Sequence, residues 1–291
     1  TGGGVDYILA NGTLTYTAGQ TSQNISITVV NDALDEVSET IQITLSNPVN
    51  AVLGANTVHT YTITDDDAAP TVTLSLSGSP MAEAGGVATV TATLSAVSGQ
   101  AVTVNLAFSG TATLTSDYTR SGTSITIPAG STTGNITLTA VQDSIDEPNE
   151  TIIVDINTVT NGTESGTQQV TATITDDDAA PTVTLSLTGS PMAEAAGVAT
   201  VTATLSAVSG QNVTVNLSFS GTATLTSDYT RSGTSITIPA GSTTGNITLT
   251  AVQDTIDEAN ETIIVDISTV TNGTESGTQQ VTATITDDDA A

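Results

Sequence analysis

Apolar and hydroxyl-bearing residues alternate along most of this chain. Over residues 71–77, Val72, Leu74 and Leu76 alternate with Thr and Ser, the two-residue period of a strand buried on one face. The same pattern predicts strand B at 87–95, C at 101–109, D at 124–128, E at 134–142, F at 151–157 and G at 169–175, with 71–77 as strand A. Along C, Val102, Val104, Leu106 and Phe108 share one face. Turn residues punctuate the runs: Gly78-Ser79-Pro80 after A, Ser98-Gly99-Gln100 between B and C, Ala129-Gly130 between D and E, and a Gly- and Thr-rich loop at 160–167 before G. No stretch carries a helical period. Seven short strands with closely spaced turn signals predict an all-β immunoglobulin-like sandwich.

The pattern repeats. Residues 68–178 and 179–289 align without a gap and differ only at Ser77/Thr188, Gly85/Ala196, Ala101/Asn212, Ala107/Ser218, Ser144/Thr255, Pro148/Ala259 and Asn157/Ser268. Residues 1–67 match only the later part of the unit, strands D to G, and 290–291 begin another linker. The expected organisation is therefore a partial repeat (1–67) and two complete ones (68–178, 179–289) in tandem. Strands D to G alone cannot close a sandwich, so the missing part of 1–67 is expected upstream in the same long chain or from another copy. Those strands packed on no partner at all would weaken a fibre reading.

Composition narrows the partners. Thirty acids face two arginines and no lysine, a formal charge of −28, which excludes an electrostatic nucleic-acid binder and disfavours anionic membranes. No residue is cysteine, so disulfides, zinc-thiolate sites and thiol nucleophiles are all out. Hydrophobic residues make up 37% but aromatics only 2%, so Val, Ile, Leu, Ala and Thr must fill a thin core. No run approaches the roughly 18 apolar residues of a membrane span.

The placement of the acids matters more than their number. If each strand reverses direction relative to the last, A, C, E and G run toward one pole, which then gathers the A-B, C-D and E-F loops and the end of G. In residues 68–178 that pole receives Glu83 (A-B), Asp117 (C-D), Asp143, Asp146, Glu147 and Glu150 (E-F), and Asp176, Asp177 and Asp178 after G. Only Asp155 and Glu164 lie elsewhere, as solvated side chains. Carboxylates gathered within roughly 10 Å repel by several kcal/mol even at an effective dielectric near 20, unless a cation is shared among them. An oxygen-only donor set without His or Cys selects hard cations, and Ca²⁺, which takes six to eight oxygens in irregular geometry, suits it better than Mg²⁺. About two to four Ca²⁺ per pole would bring the local charge near zero.

The Asp-Tyr pair (Asp117-Tyr118), the Asp-x-x-x-Glu-x-x-Glu of Asp143, Glu147 and Glu150, and the closing Ile-Thr-Asp-Asp-Asp together resemble the Calx-beta domain, found in the regulatory loops of sodium/calcium exchangers, in integrin β4 and in long bacterial surface proteins. The resemblance covers the whole unit. It implies a calcium cluster at one pole, held here by Glu83, Asp117, Asp143, Glu147, Glu150, Asp176, Asp177 and Asp178, and in the second complete unit by Glu194, Asp228, Asp254, Glu258, Glu261, Asp287, Asp288 and Asp289. The partial unit keeps Asp6, Asp32, Glu36, Glu39, Asp65, Asp66 and Asp67. Where the best calcium-binding members carry two successive aspartates, this chain has Gln142-Asp143 and Gln253-Asp254, with Asn31 in the partial unit, so weaker binding or fewer ions are expected.

The other candidates are bland. His59, the sole histidine, has no cysteine or serine constellation to join, and eight acids without an aromatic platform are not a glycosidase pair, so no enzymatic activity is expected. Tyr118 and Tyr229 are expected at the rim of the core. Gly2-Gly3-Gly4-Val5-Asp6 lacks the spacing of a nonapeptide calcium repeat.

The expected function is a calcium-stiffened stretch of a secreted or surface-displayed fibre or adhesin, extracellular, whose partners are Ca²⁺, neighbouring repeats and other copies. Asp-Ala-Ala-Pro links leave almost no slack between units, since Pro181 restricts the residue before it. The alternative is a calcium sensor that changes the angle between domains. Identical acids in the two complete units favour the repeated mechanical part.

Overall fold

A computed structural model describes residues 5–290; the Gly2-Gly3-Gly4 run and Ala291 lie outside the described residues. Every element among them is a strand. The leading segment has β1 (Tyr7–Ile8), β2 (Thr28–Val29), β3 (Glu39–Thr44) and β4 (Val58–Ile63). Residues 68–178 hold β5 (Thr71–Ser77), β6 (Met81–Ala82), β7 (Val87–Leu94), β8 (Val102–Gly110), β9 (Tyr118–Arg120), β10 (Ser124–Ile127), β11 (Thr133–Ala140), β12 (Glu150–Thr160), β13 (Thr163–Glu164) and β14 (Gln169–Thr175). The last third repeats them as β15 (Thr182–Thr188), β16 (Met192–Ala193), β17 (Val198–Leu205), β18 (Val213–Gly221), β19 (Tyr229–Arg231), β20 (Ser235–Ile238), β21 (Thr244–Ala251), β22 (Glu261–Thr271), β23 (Thr274–Glu275) and β24 (Gln280–Thr286).

In the final repeat the strands form two five-stranded sheets, ordered β19-β21-β17-β15-β23 and β16-β24-β22-β18-β20, and β5–β14 have the same arrangement. This is the sandwich that the alternation demands. In β17, Ala199, Val201, Ala203 and Leu205 are buried while the residues between them face out, and Val213, Val215, Leu217, Ile263, Val265, Ala283 and Ile285 meet them from the other sheet. Three short strands per repeat were not legible as periodic runs: β16, β19 and β23, and their counterparts β6, β9 and β13, add edges to the seven principal strands. Tyr118 and Tyr229 lie deeper than rim positions, each 4% exposed within the core.

Both arginines are committed away from the acids. Arg231 lies 4.1 Å above the Phe219 ring and Arg120 stands the same distance over Phe108, a cation–π contact that joins β19 to β18 and β9 to β8.

Two compact units result, and they do not follow the repeat. One comprises the chain through Met81 together with Gly85–Val141 and Thr151–Ile174; the other comprises Ala82–Ala84, Gln142–Glu150 and the chain from Thr175 onward. The loops bearing Glu83, the E-F acids and the Asp triplet of the first complete repeat thus belong to the same unit as the second complete repeat. In the leading segment β1 pairs with β2 and β3 with β4, and Ile41 is the one buried apolar side chain among its described residues. Val5, Ile8, Val37, Val49 and Val52 are exposed there, so these strands have no covering sheet among the described residues.

Candidate metal centre

Strand direction builds the site. Each principal pairing in the final repeat is antiparallel: β15 with β17, β17 with β21, β18 with β20 and β22, and β22 with β24. Met192–Ala193, by contrast, pairs in parallel with β24, Met192 opposite Ile285 and Ala193 opposite Thr286. One residue further on, the Glu194 N–H donates to the Thr286 carbonyl at 3.1 Å, which sets Glu194 beside the Asp287-Asp288-Asp289 run. On the same sheet Glu261 pairs with Ile285. From the other sheet, Tyr229 pairs with Ala251 and the Val252 N–H donates to the Asp228 carbonyl at 2.9 Å. The register therefore delivers acids from three loops and from the stretch after β24 to one end of the repeat. A cleft there is lined by Glu194, Asp228, Asp254, Glu258, Glu261 and Asp287 together with Val252, Ala259 and Ile285.

Two triads stand out at that end of the repeat. Glu194, Asp254 and Asp289 each offer a carboxylate oxygen, all within 4.8 Å of one another, and Asp228, Glu258 and Glu261 do the same. The first triad recurs as Glu83, Asp143 and Asp178, again within 4.8 Å. Asp117, Glu147 and Glu150 are the sequence equivalents of the second, and in both repeats this loop aspartate accepts a backbone N–H four residues before it, from Thr113 and from Thr224. Glu83 and Glu194, 8% and 7% exposed, are the only buried glutamates among the described residues. Each keeps one oxygen engaged with the E-F loop: the Asp143 N–H donates to Glu83 Oε1 and the Asp254 N–H to Glu194 Oε1, both at 3.0 Å.

The remaining acids are divided between loop bracing and solvent. Asp176 Oδ1 accepts the Glu147 N–H at 3.1 Å and Asp287 Oδ1 accepts that of Glu258 at 3.3 Å, so the first triplet residue braces the E-F loop. Asp177 and Asp288 are exposed, and each accepts a bond at 3.1 Å from Gln142 or Gln253. Each glutamine thus supplies a neutral donor to the middle triplet residue. In the leading segment Asp6, Asp32, Glu36, Glu39 and Asp65–Asp67 line a single cleft, with the Glu36 N–H on Asp65 Oδ1 at 3.2 Å.

These carboxylates are electrostatically unhappy without a cation. Burial, then repulsion from Asp143, Asp178 and Asp176, raises the Glu83 carboxyl above its ordinary range, although the Asp143 N–H pulls the other way. Burial is also the leading cause for Asp289, followed by Asp287, Asp288 and Asp254. Glu261 is pushed up to about 7, by burial first and then by the hydrogen bond and repulsion it shares with Asp228. Asp178 Oδ2 and Asp289 Oδ2, one in each Glu-Asp-Asp triad, are buried oxygens with no hydrogen-bond partner, and Glu36 Oε1 in the leading segment is a third. A buried acceptor left unpaired costs about 1–3 kcal/mol, more when charged. Clustered, all-oxygen and lacking donors, this set fits a hard cation of calcium type.

A pH dependence follows. Glu261 binds its proton more tightly in the folded chain than in the unfolded one, so its contribution is fully present below about pH 4.3 and is lost as pH rises through about 7. Calcium-depleted protein is expected to melt at a higher temperature at pH 5.5 than at pH 8. Saturating calcium, which competes with protons for the same oxygens, reverses the order. Thermal scans at the two pH values check both signs.

The Calx-beta domain family matches residues 1–67, 65–178 and 176–289. Among solved structures, the chain is similar to "CBD12 from CALX1.2" (17% identity over 65% of this chain and 76% of that one, TM-score 0.32) and to the "calcium binding domain CBD12 of CALX1.1" (17%, the same coverages, TM-score 0.31). At those scores the superpositions carry no argument of their own. No curated protein matches the sequence.

Proposed function

The chain belongs to the Calx-beta domain family along nearly its whole length, and from that premise we propose that it is a calcium-stiffened segment of a long secreted or cell-surface fibre or adhesin. Calcium would be held in each complete repeat by the Glu-Asp-Asp triads Glu83/Asp143/Asp178 and Glu194/Asp254/Asp289, with the E-F glutamates and the Asp-Tyr aspartate completing the cluster. When bound, the ion supplies the positive charge that the pole lacks. The observation that carries this reading is the pair of identical triads, each with a buried, partnerless oxygen.

The mechanical part of the reading is supported by the loops that carry those acids. In the first complete repeat they belong to the same compact unit as the repeat that follows, so an ion bound there would tie its loops within that unit. The uncovered strands of the leading segment weigh on the other side, since the fibre reading expects them to be closed by another part of a long chain. The role proposed is non-enzymatic and extracellular, with neighbouring repeats and other copies as partners. No helix among the described residues is long and apolar enough to cross a membrane.

A calcium sensor is the competing reading, and titration calorimetry on the whole chain separates the two. Identical acid sets should give the two complete repeats one class of affinity. Two classes separated by about tenfold, equivalent to roughly 1.4 kcal/mol, would favour graded sensing, and no heat at all would remove the metal.

A further inference from the structure

One acid of the E-F loop takes no part in the triads. Asp146 lies midway between Asp143 and Glu150 in sequence, yet its backbone forms an isolated parallel bridge with Ser209, in the B-C turn of the following repeat. The Ser209 hydroxyl donates to Asp146 Oδ2 at 3.1 Å while its oxygen accepts the Gln211 N–H at 3.1 Å, and the Gly210 N–H donates to the Asp146 carbonyl at 3.0 Å. The arrangement occurs twice. Asp35 bridges Ser98 in parallel, accepts its hydroxyl at 2.8 Å and takes the Gly99 N–H on its carbonyl at 2.9 Å, with Ser98 oxygen accepting the Gln100 N–H at 3.0 Å. Both serines are 1% exposed and Asp35 is 8% exposed.

The glycine after each serine lets a glutamate side chain of the preceding repeat lie close against the turn. A β-carbon at Gly210 would lie 2.5 Å from Glu147 Oε1, and one at Gly99 would lie 2.8 Å from Glu36 Cγ. The same glutamates donate their N–H to the Asp triplet, at Asp176 and Asp65. Plug and pole are therefore adjacent residues of one loop. At the matching position of the last repeat's E-F loop, Ile256 is 60% exposed, whereas Ile145 is half-buried.

We propose that the Ser-Gly dipeptide of the B-C turn is a docking socket for the E-F loop aspartate of the preceding repeat, so that Asp35–Ser98 and Asp146–Ser209 are latches that orient each repeat on the next. The partner is a second repeat of this kind, recognised by a carboxylate buried at Asp35 and half-buried at Asp146, a buried serine hydroxyl and a small residue beside it. The latch does not rest on the calcium reading. It is made by hydrogen bonds between protein groups.

The test uses the full chain in EDTA. Nitroxides attached to Thr132→Cys and Thr243→Cys, both exposed and in a chain free of native cysteine, report the distance between consecutive repeats. With the parent joint intact the distance distribution is narrow. Ser209→Ala, which strips the half-buried Asp146 carboxylate of its donor, and Asp146→Ala, which removes the plug from the other side, each broaden it about twofold, as expected when an interface stops restraining two domains. Asp257→Ala leaves it unchanged. The proposal is overturned if both latch variants keep the parent width, or if Asp257→Ala broadens the distribution as much as they do.

Discussion

Stripping calcium from the full chain should lower its melting temperature by on the order of 10 °C, given a free calcium level about a hundredfold above the dissociation constant. At that ratio one site that exists only in the folded state contributes about 2.7 kcal/mol, and each kcal/mol moves the midpoint of a domain of this size by roughly 4 °C or more. The structure gives the reason for expecting the whole of it. Two carboxylate oxygens at the 4.8 Å bound of the triads repel by roughly 3 kcal/mol at an effective dielectric of 20, and both arginines are stacked on Phe108 and Phe219. Protein without calcium keeps that repulsion; protein with calcium exchanges it for attraction. Magnesium at equal concentration should recover only a small part of the shift, because it dehydrates reluctantly and demands octahedral order. Scanning calorimetry in chelator, in calcium and in magnesium measures all three. Superimposable traces would leave the triads as solvated acids and the chain as a repetitive spacer.

The strands were legible because their period is two and turn residues bound each run. Residues 71–77 and 169–175 match β5 and β14 end to end, and the other principal strands differ by a few residues at their margins, the largest being β12, which runs to Thr160 rather than Asn157. The pole was legible for a topological reason. Strand reversal fixes which loops share an end whatever the sheet order, so Glu194, Asp254 and Asp289 could be brought together before any sheet was assigned. What stayed hidden has no period to betray it. Met192–Ala193 is two residues long, and its parallel pairing with β24, which seats Glu194, follows from the path of the chain rather than from alternation. The roles of Asp146 and Asp35 were hidden because Asp146 read only as one more acid of the pole and Asp35 stood unremarked between Asp32 and Glu36. Their partners, Ser209 and Ser98, read as ordinary turn residues. The only signal was the constant 63-residue offset between plug and serine at both joints, a spacing meaningful only once two repeats are seen side by side.

Glu83→Gln should change sign with the metal, and that crossing separates a ligand from a structural carboxylate. The substitution conserves shape, and its carbonyl can still accept the Asp143 N–H that Glu83 Oε1 accepts at 3.0 Å. It removes one negative charge from a buried position whose proton affinity is raised by burial and by Asp143, Asp178 and Asp176, and it brings an amide donor into the triad where Asp178 Oδ2 has no partner. In chelator at pH 7.5 the variant should therefore be more stable than the parent by about 1 kcal/mol, the scale of one added hydrogen bond. In calcium it should be less stable by about 2–3 kcal/mol, because an amide oxygen carries no charge to hold the ion and the ligand-linked stabilisation of that repeat is lost. Chemical denaturation with and without calcium reads both arms, and Glu194→Gln repeats the measurement in the other complete repeat. Loss of stability in both conditions would make Glu83 a structural anchor of the A-B loop, and a gain in both would mean that no cation is recruited to the triad.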